Sequence, residues 1–222
     1  MFEMILTGNW VFSFVFCSFL QYTFEKLYIK TYKSYISTCI LFQTFFVANA
    51  GYILYLYFFT NTDNSLLNSL TIQNVYNLYG YFLYDNFFMI TQDTSPKLIF
   101  FIHHVISLIL IEQIVYINNG DLTNEIIFVN LLSIITEITN PFLNIRIFLI
   151  EHIHLKKINY RIIYLTYGFF RILLFPMLYI VYLVKINIYN TVNFTSNFLI
   201  ISIFGMLYSM SCSWFMKIIK KQ

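Results

Sequence analysis

The sequence predicts an all-α, multi-pass transmembrane helical bundle of about seven spans. Hydrophobic types make up 59% of the 222 residues, and charged types only 10%. The mean hydropathy is +0.70. An ordinary soluble domain carries about 25% charged residues. A soluble monomer of this composition would have to expose much of its apolar surface, so the composition excludes that class of protein.

Seven apolar stretches, separated by polar breaks, predict the individual spans. The first stretch has no preceding basic cluster and no clear small-residue cleavage site, so we expect it to remain as the first span. The stretches lie near 6–24, 36–59, 70–90, 98–117, 124–149, 160–184 and 195–216.

Basic residues concentrate in alternate connections, and this asymmetry predicts the orientation of the chain. The opposite connections contain only Lys185, together with Asp63 and Asp121. By the positive-inside rule, the N-terminus is expected to be lumenal and the C-terminus cytosolic. The glycosylation sequon Asn193-Phe194-Thr195 falls in a connection that this orientation places in the lumen. The cations expected to be cytosolic are Lys26, Lys30, Lys33, Lys97, Lys156, Lys157, Arg161, Lys217, Lys220 and Lys221.

Net charge and cysteine content exclude further classes of partner. The formal net charge of +3 is too small to suggest nucleic-acid binding. Cys17, Cys39 and Cys212 each lie inside an apolar run, so we expect small buried side chains and neither a disulfide framework nor a metal site.

Ionisable residues within the predicted spans should face the bundle interior, because each is costly in hydrocarbon. In three spans, polar residues recur at steps of three or four and therefore share one helix face. His103 and His104 stand together in the fourth span, near Ser107. The three stripes are Asn77, Tyr81 and Asp85; Asn130, Ser133, Glu137, Asn140 and Asn144; and Tyr160, Tyr164, Tyr167 and Arg171.

The depths of these residues predict an interior chamber that opens toward the cytosol. At about 1.5 Å per residue, Asp85, the two histidines and Asn144 fall in the cytosolic half, and Arg171 lies close to the midplane. Pro141 crowds the carbonyl of Glu137 and should disturb the helix there.

A structural interpretation stands beside the functional one. Asn130, Ser133 and Asn140 are more typical of hydrogen bonds between helices. Glu137 with Arg171 fits a structural ion pair as well as a substrate contact. The histidine pair beside Asp85 favours a function.

Four sequence segments contain most of these polar residues. They are Gly80-Tyr81-Phe82-Leu83-Tyr84-Asp85; Phe101-Ile102-His103-His104; Glu137-Ile138-Thr139-Asn140-Pro141-Phe142-Leu143-Asn144-Ile145-Arg146; and Phe170-Arg171-Ile172 followed by Pro176. Together they resemble the TLC-domain family, which includes the ceramide synthases and the translocating-chain-associating membrane protein. The third segment is the most specific of the four.

The resemblance implies six core helices around a lipid-sized chamber, in the endoplasmic reticulum or a related membrane. It also implies that Asp85, His103, His104, Glu137, Asn144 and Arg171 occupy family motif positions. We expect three regions: a first span with a basic cytosolic loop (1–33), the TLC domain (34–215) and a basic cytosolic tail (216–222).

The resemblance is closer to small TLC-domain-containing proteins than to the ceramide synthases. The ceramide synthases share a longer motif that begins His-Asp and also contains Ser-Asp. Here the histidines are followed by 105–110, Val-Ile-Ser-Leu-Ile-Leu, with no acidic residue. Many family members also have a histidine where this chain has Ile40.

Three functions remain open at this stage. The favoured hypothesis is a protein that binds a lipid or acyl chain and acts in lipid homeostasis, without a cofactor. Arg146 is included among its expected lipid-binding residues, with Tyr81, Glu137, Asn140, Asn144, Tyr167 and Arg171.

The alternative is a ceramide-forming N-acyltransferase that takes acyl-CoA as co-substrate and uses His103, His104 and Asp85 catalytically. The third function is a channel-like or partner-binding scaffold. The sequence is also compatible with a homodimer.

Overall fold

The chain folds entirely into helices in the part that the structure describes, with no strand among those residues. A computed structural model describes residues 9–27, 31–91, 98–117, 124–189 and 194–220. Seven helical segments follow one another, and each overlaps one predicted apolar stretch. The all-helical class predicted from the sequence is therefore confirmed.

The first four helical segments and the last are continuous, and the fifth and sixth are each interrupted. The α-helices are α1 (Asn9–Leu27), α2 (Thr31–Phe59), α3 (Asn64–Thr91), α4 (Leu98–Ile117), α5 (Asn124–Ile135), α6 (Thr139–Ile145), α7 (Ile153–Thr166), α8 (Phe175–Tyr189) and α9 (Phe194–Ile219).

Two helices are long and apolar enough to cross a membrane among the residues described, Tyr32–Phe59 and Ile153–Val181. A shorter apolar stretch, Phe100–Ile109, lies within α4. The number of spans stays a prediction.

The ends of some helices differ from the sequence expectation. Lys185 was expected in a connection but lies within α8, which continues to Tyr189. Lys156, Lys157 and Arg161 were also expected in a connection and lie within α7. Hydropathy marks where an apolar stretch ends, whereas a helix continues as long as its backbone hydrogen bonds do. Asn193 of the sequon lies outside the described residues.

The fifth segment is interrupted beside Pro141, as expected. α5 gives way to a 3₁₀ turn at Thr136–Ile138, and α6 then begins. Pro141 has no N–H to donate to Glu137, and its ring crowds the Glu137 carbonyl, so a regular α-helix cannot pass through this point undisturbed. The turn therefore places Glu137 on irregular backbone.

The sixth segment contains a π-helix, Tyr167–Leu174, between α7 and α8. π-Helical turns are rare and are frequently found at functional sites. Arg171 lies within this π-helix. Both interruptions thus carry a charged residue that the sequence had placed in the interior.

The three N-terminal helices contribute most of the larger core cluster of the described residues, which Leu108, Leu131 and Ile134 complete. Phe42 and Phe46 of α2 pack against Tyr81 of α3, and Cys17 of α1 is fully buried beside them. α1 approaches α3 closely at Gly80, where an added Cβ would lie 2.3 Å from the Trp10 carbonyl oxygen. α1 therefore packs as part of the bundle.

A second, smaller cluster joins the C-terminal half. Val129 of α5 packs with Ile203, Phe204 and Leu207 of α9. Phe175 and Tyr179 of α8 stack on Phe204, with ring centroids 4.3 and 4.1 Å apart.

The start of α3 is capped by the residue that precedes it. The Asp63 carboxylate accepts hydrogen bonds from the Ser65 hydroxyl (2.5 Å) and the Ser65 backbone N–H (3.4 Å). These bonds satisfy a free donor of the first helical turn. They also hold the pKa of the Asp63 carboxyl below its usual value.

Candidate functional site

Asp85 is the centre of a buried polar cluster between α2, α3 and α4. Its side chain is almost fully buried, and the Tyr35 hydroxyl donates a hydrogen bond to Oδ1. Cys39 Sγ lies 3.9 Å from the same oxygen. His104 Nδ1 lies 3.3 Å from Oδ2. One carboxylate therefore joins three helices.

His104 is held against this carboxylate by packing. Its ring stacks on Phe82, with centroids 4.8 Å apart. The 3.3 Å approach to Asp85 is a close electrostatic contact and not a directed hydrogen bond.

His103 faces α9 and is also buried, at 7% exposure. Its ring lies edge-on to Trp214, 5.3 Å between centroids, and 5.7 Å from the His104 ring. Its Nδ1 is buried without a hydrogen-bond partner in the described part of the chain. The Ser107 hydroxyl donates instead to the His103 backbone oxygen.

Glu137 and Arg171 form a buried ion pair across the two interrupted segments. Arg171 Nη2 lies 2.6 Å from Glu137 Oε2, and the side chains are 5% and 15% exposed. Asn140 bridges the pair: its amide donates to Glu137, and its oxygen accepts from Arg171 at 3.1 Å. The irregular backbone on both sides lets the two charges meet.

The Arg171 guanidinium also lies over the Tyr167 ring, 5.5 Å from its centroid. Such a cation–π contact adds attraction where water is excluded. Tyr167 stacks in turn on Phe215 of α9, 5.9 Å between centroids. Arg171 Nε remains buried without a partner among the described residues.

A third group, Gln43, connects two predicted site residues. Asn144 donates to Gln43 Oε1 at 3.0 Å, and Gln43 Nε2 donates to the Tyr81 hydroxyl at 2.8 Å. This chain runs from α6 through α2 to α3. Sequence reasoning missed Gln43, as it missed Tyr35.

Neighbouring residues of α9 link the two charged clusters, which are Asp85 with the two histidines and Glu137 with Arg171. Trp214 contacts His103, while Phe215 contacts Tyr167 beside Arg171.

Most of the predicted residues therefore come together, but some do not. Arg146 is exposed just beyond α6. Asn77 turns to α1, where it accepts a hydrogen bond from Ser13 at 2.7 Å. Tyr164 is 37% exposed and stacks on Phe215. A helix stripe is wide enough for its members to meet different neighbours.

The comparisons with known proteins place this arrangement in a family. The family model of the TLC domain matches residues 34–220. The chain belongs to the TLC-domain family. The resemblance inferred from the four segments is thereby confirmed, and the chain is a membrane protein of this lipid-related family. No curated protein and no solved structure matches the chain.

The TLC-domain match contains every residue of both charged clusters, whereas α1 precedes it. No group of three or more His, Cys, Asp or Glu side chains within the described ranges is arranged to hold a metal ion. What the interior offers a ligand is thus one ion pair, two imidazoles and several amide and hydroxyl groups.

Proposed function

We propose that this protein binds a lipid inside the TLC-domain bundle, in a chamber that accepts the acyl chain. The observation that carries the proposal is a pair of unsatisfied atoms, His103 Nδ1 and Arg171 Nε. A buried polar atom without a partner costs about 1–3 kcal/mol. A lipid with hydroxyl or amide groups would satisfy both atoms.

The surrounding charges favour a polar but neutral group at this point. Glu137 already neutralises Arg171, and Asp85 accompanies His104. A further net charge placed here would add desolvation cost without a free partner. Hydroxyl and amide groups of a lipid backbone carry no such cost.

The experiment measures the lipid that remains with the detergent-purified protein, by mass spectrometry. His103→Phe keeps an aromatic ring beside Trp214 but removes both ring nitrogens. We expect the lipid-to-protein ratio to fall at least about fivefold, with unfolding temperature maintained.

Tyr179→Phe is the matched control. This substitution also removes a buried hydroxyl that has no partner in the described structure. Tyr179 belongs to the second, smaller core cluster, where its ring stacks on Phe204. The lipid content of this variant should equal that of the wild type. Equal lipid content in His103→Phe and wild type would overturn the proposal.

The contact between Asp85 and His104 favours a second candidate, amine N-acylation from acyl-CoA. The amine nitrogen would attack the thioester carbonyl while His104 takes its proton. The C–N bond forms, the C–S bond breaks, and the coenzyme A thiolate leaves with that proton. Lys156, Lys157 and Arg161 in α7 would attract the coenzyme's phosphates.

Expression in cells without endogenous ceramide synthases separates the two candidates. New ceramide that disappears with His104→Ala and decreases with Tyr35→Phe would support the acyltransferase. Unchanged ceramide together with retained lipid would support the binding protein. Tyr52→Phe is the control for Tyr35→Phe, since Tyr52 lies in the same helix and its side chain is 57% exposed.

We further propose the endoplasmic reticulum as the location, with a lumenal N-terminus and a cytosolic C-terminus. Membership of the TLC-domain family supports the location, and the concentration of basic residues in α7 and in the C-terminal tail supports the orientation. A homodimer stays a prediction, which native mass spectrometry of the purified protein tests directly.

A further inference from the structure

A groove of about 340 Å³ lies outside the interior clusters, between the start of α2 and the turn that follows α6. Successive hydrogen bonds define the path of this turn, including Ile147 N–H to the Asn144 oxygen and Phe148 N–H to the Ile145 oxygen. Its lining consists of Tyr32, Lys33, Ile147, Phe148, Ile150 and Glu151.

The groove combines three kinds of surface in one small volume. Lys33 supplies a positive charge and Glu151 a negative charge, and both are exposed. Tyr32 presents an aromatic ring that is 44% exposed. Ile147, Phe148 and Ile150 supply apolar surface.

We propose that this groove binds the headgroup of a zwitterionic glycerophospholipid. Lys33 pairs with the phosphate, while Glu151 and the Tyr32 ring receive the ammonium group of choline or ethanolamine. The apolar residues pack against the first part of an acyl chain. An anionic lipid without an ammonium group carries the same phosphate but leaves Glu151 without a cation to pair with.

The position of the groove agrees with such a ligand. It lies where α2 begins and where the fifth helical segment ends, and headgroups occupy the level of helix ends. Tyr32 contacts Tyr35, with ring centroids 6.3 Å apart, and Tyr35 bonds to Asp85. The groove thus adjoins the interior site and deepens the proposed lipid-binding function, on which it rests.

Site-specific photo-crosslinking in nanodiscs tests the proposal on the full chain. A photo-crosslinking residue at Ile150, in the groove, is compared with one at Ile153, which is also exposed but outside the lining. The probes are dioleoyl phosphatidylcholine and dioleoyl phosphatidylglycerol, which share their acyl chains. We expect phosphatidylcholine to crosslink preferentially at Ile150, and both lipids equally at Ile153.

Charge variants then show which group each residue binds. Lys33→Gln should lower phosphatidylcholine crosslinking at Ile150 about threefold to tenfold. Glu151→Gln should lower it similarly while raising phosphatidylglycerol crosslinking. Lys217→Gln, an exposed cation near the end of α9 and outside the lining, should change neither.

Three outcomes would overturn the proposal. They are a preference for phosphatidylglycerol at Ile150, no effect of Glu151→Gln on crosslinking there, and the same ratio of the two lipids at Ile150 as at Ile153. Failure here is distinct from failure of the proposed function. Lipid that co-purifies with the wild type and is lost in His103→Phe would still support interior binding even if the groove showed no headgroup selectivity.

Discussion

Arg171 and Glu137 carry opposite charges inside the bundle, and each depends on the other. Removing one partner of a buried pair leaves an uncompensated charge, which costs about 3–5 kcal/mol. We therefore expect Arg171→Gln and Glu137→Gln each to lower the unfolding temperature strongly in detergent. The double substitution should be more stable than the sum of the two single changes predicts.

Arg146→Gln serves as the control for this cycle, because Arg146 is exposed. Its unfolding temperature should stay close to that of the wild type. Additive effects of the two single substitutions would show that the 2.6 Å contact contributes no coupling energy.

At the residue scale, the sequence predicted charged groups better than their neutral partners. Asp85, Glu137 and Arg171 stood out because ionisable side chains are rare in apolar stretches. Tyr35 is one of 19 tyrosines, so its residue type gave no signal. Gln43 is an amide within an apolar stretch, and its polarity could have singled it out. Tyr35 contacts Asp85 and Gln43 contacts Asn144 because of how α2 packs on its neighbours. The spacing of residues along the sequence does not reveal that packing.

The close approach of α1 and α3 depends on a single glycine. A Cβ at Gly80 would lie 2.3 Å from the Trp10 oxygen and 2.9 Å from Ser13 Cβ, so backbone would have to move. Gly80→Ala should destabilise the protein by about 1–3 kcal/mol, as overpacking typically does. Thermal unfolding in detergent measures the change.

Gly51→Ala is the matched control, since an added Cβ there meets nothing within 4 Å. Because alanine favours helix, this substitution should leave stability unchanged or raise it by up to about 1 kcal/mol. Equal melting of the two variants would show that α1 does not pack tightly on α3.

At the element scale, one interruption was predicted from the sequence and the other was not, although a proline follows each. Pro141 lacks an N–H and its ring crowds the carbonyl of Glu137, so the disturbance there follows from the sequence. The π-helix at Tyr167–Leu174 contains no proline, but Pro176 follows it and crowds the carbonyl of Ile172 in the same way. The π-helix lies where Arg171 reaches Glu137 and Tyr167 packs on Phe215, and these contacts are tertiary.

Over the whole molecule, polarity is distributed as a membrane protein requires. Large apolar side chains face outward, among them Phe59 at 75% and Leu27 at 72% exposure. Asp85, Arg171 and both histidines are buried. Water would penalise such an arrangement, whereas lipid around the bundle favours it. The composition predicted that apolar side chains would face outward and charged ones inward. It does not predict how many helices cross the membrane, because that number depends on the side on which each connection lies.

That orientation can be tested with cysteine labelling in sealed microsomes. In a Cys212→Ser background, the remaining native thiols of Cys17 and Cys39 are buried. Because the positive-inside rule places α7 at the cytosolic side, Lys157→Cys should react with an impermeant maleimide in intact vesicles. Asp63→Cys, between α2 and α3, should react only after the membrane is permeabilised. Reaction of both positions in intact vesicles would place the two connections on one side and contradict an odd number of spans between them.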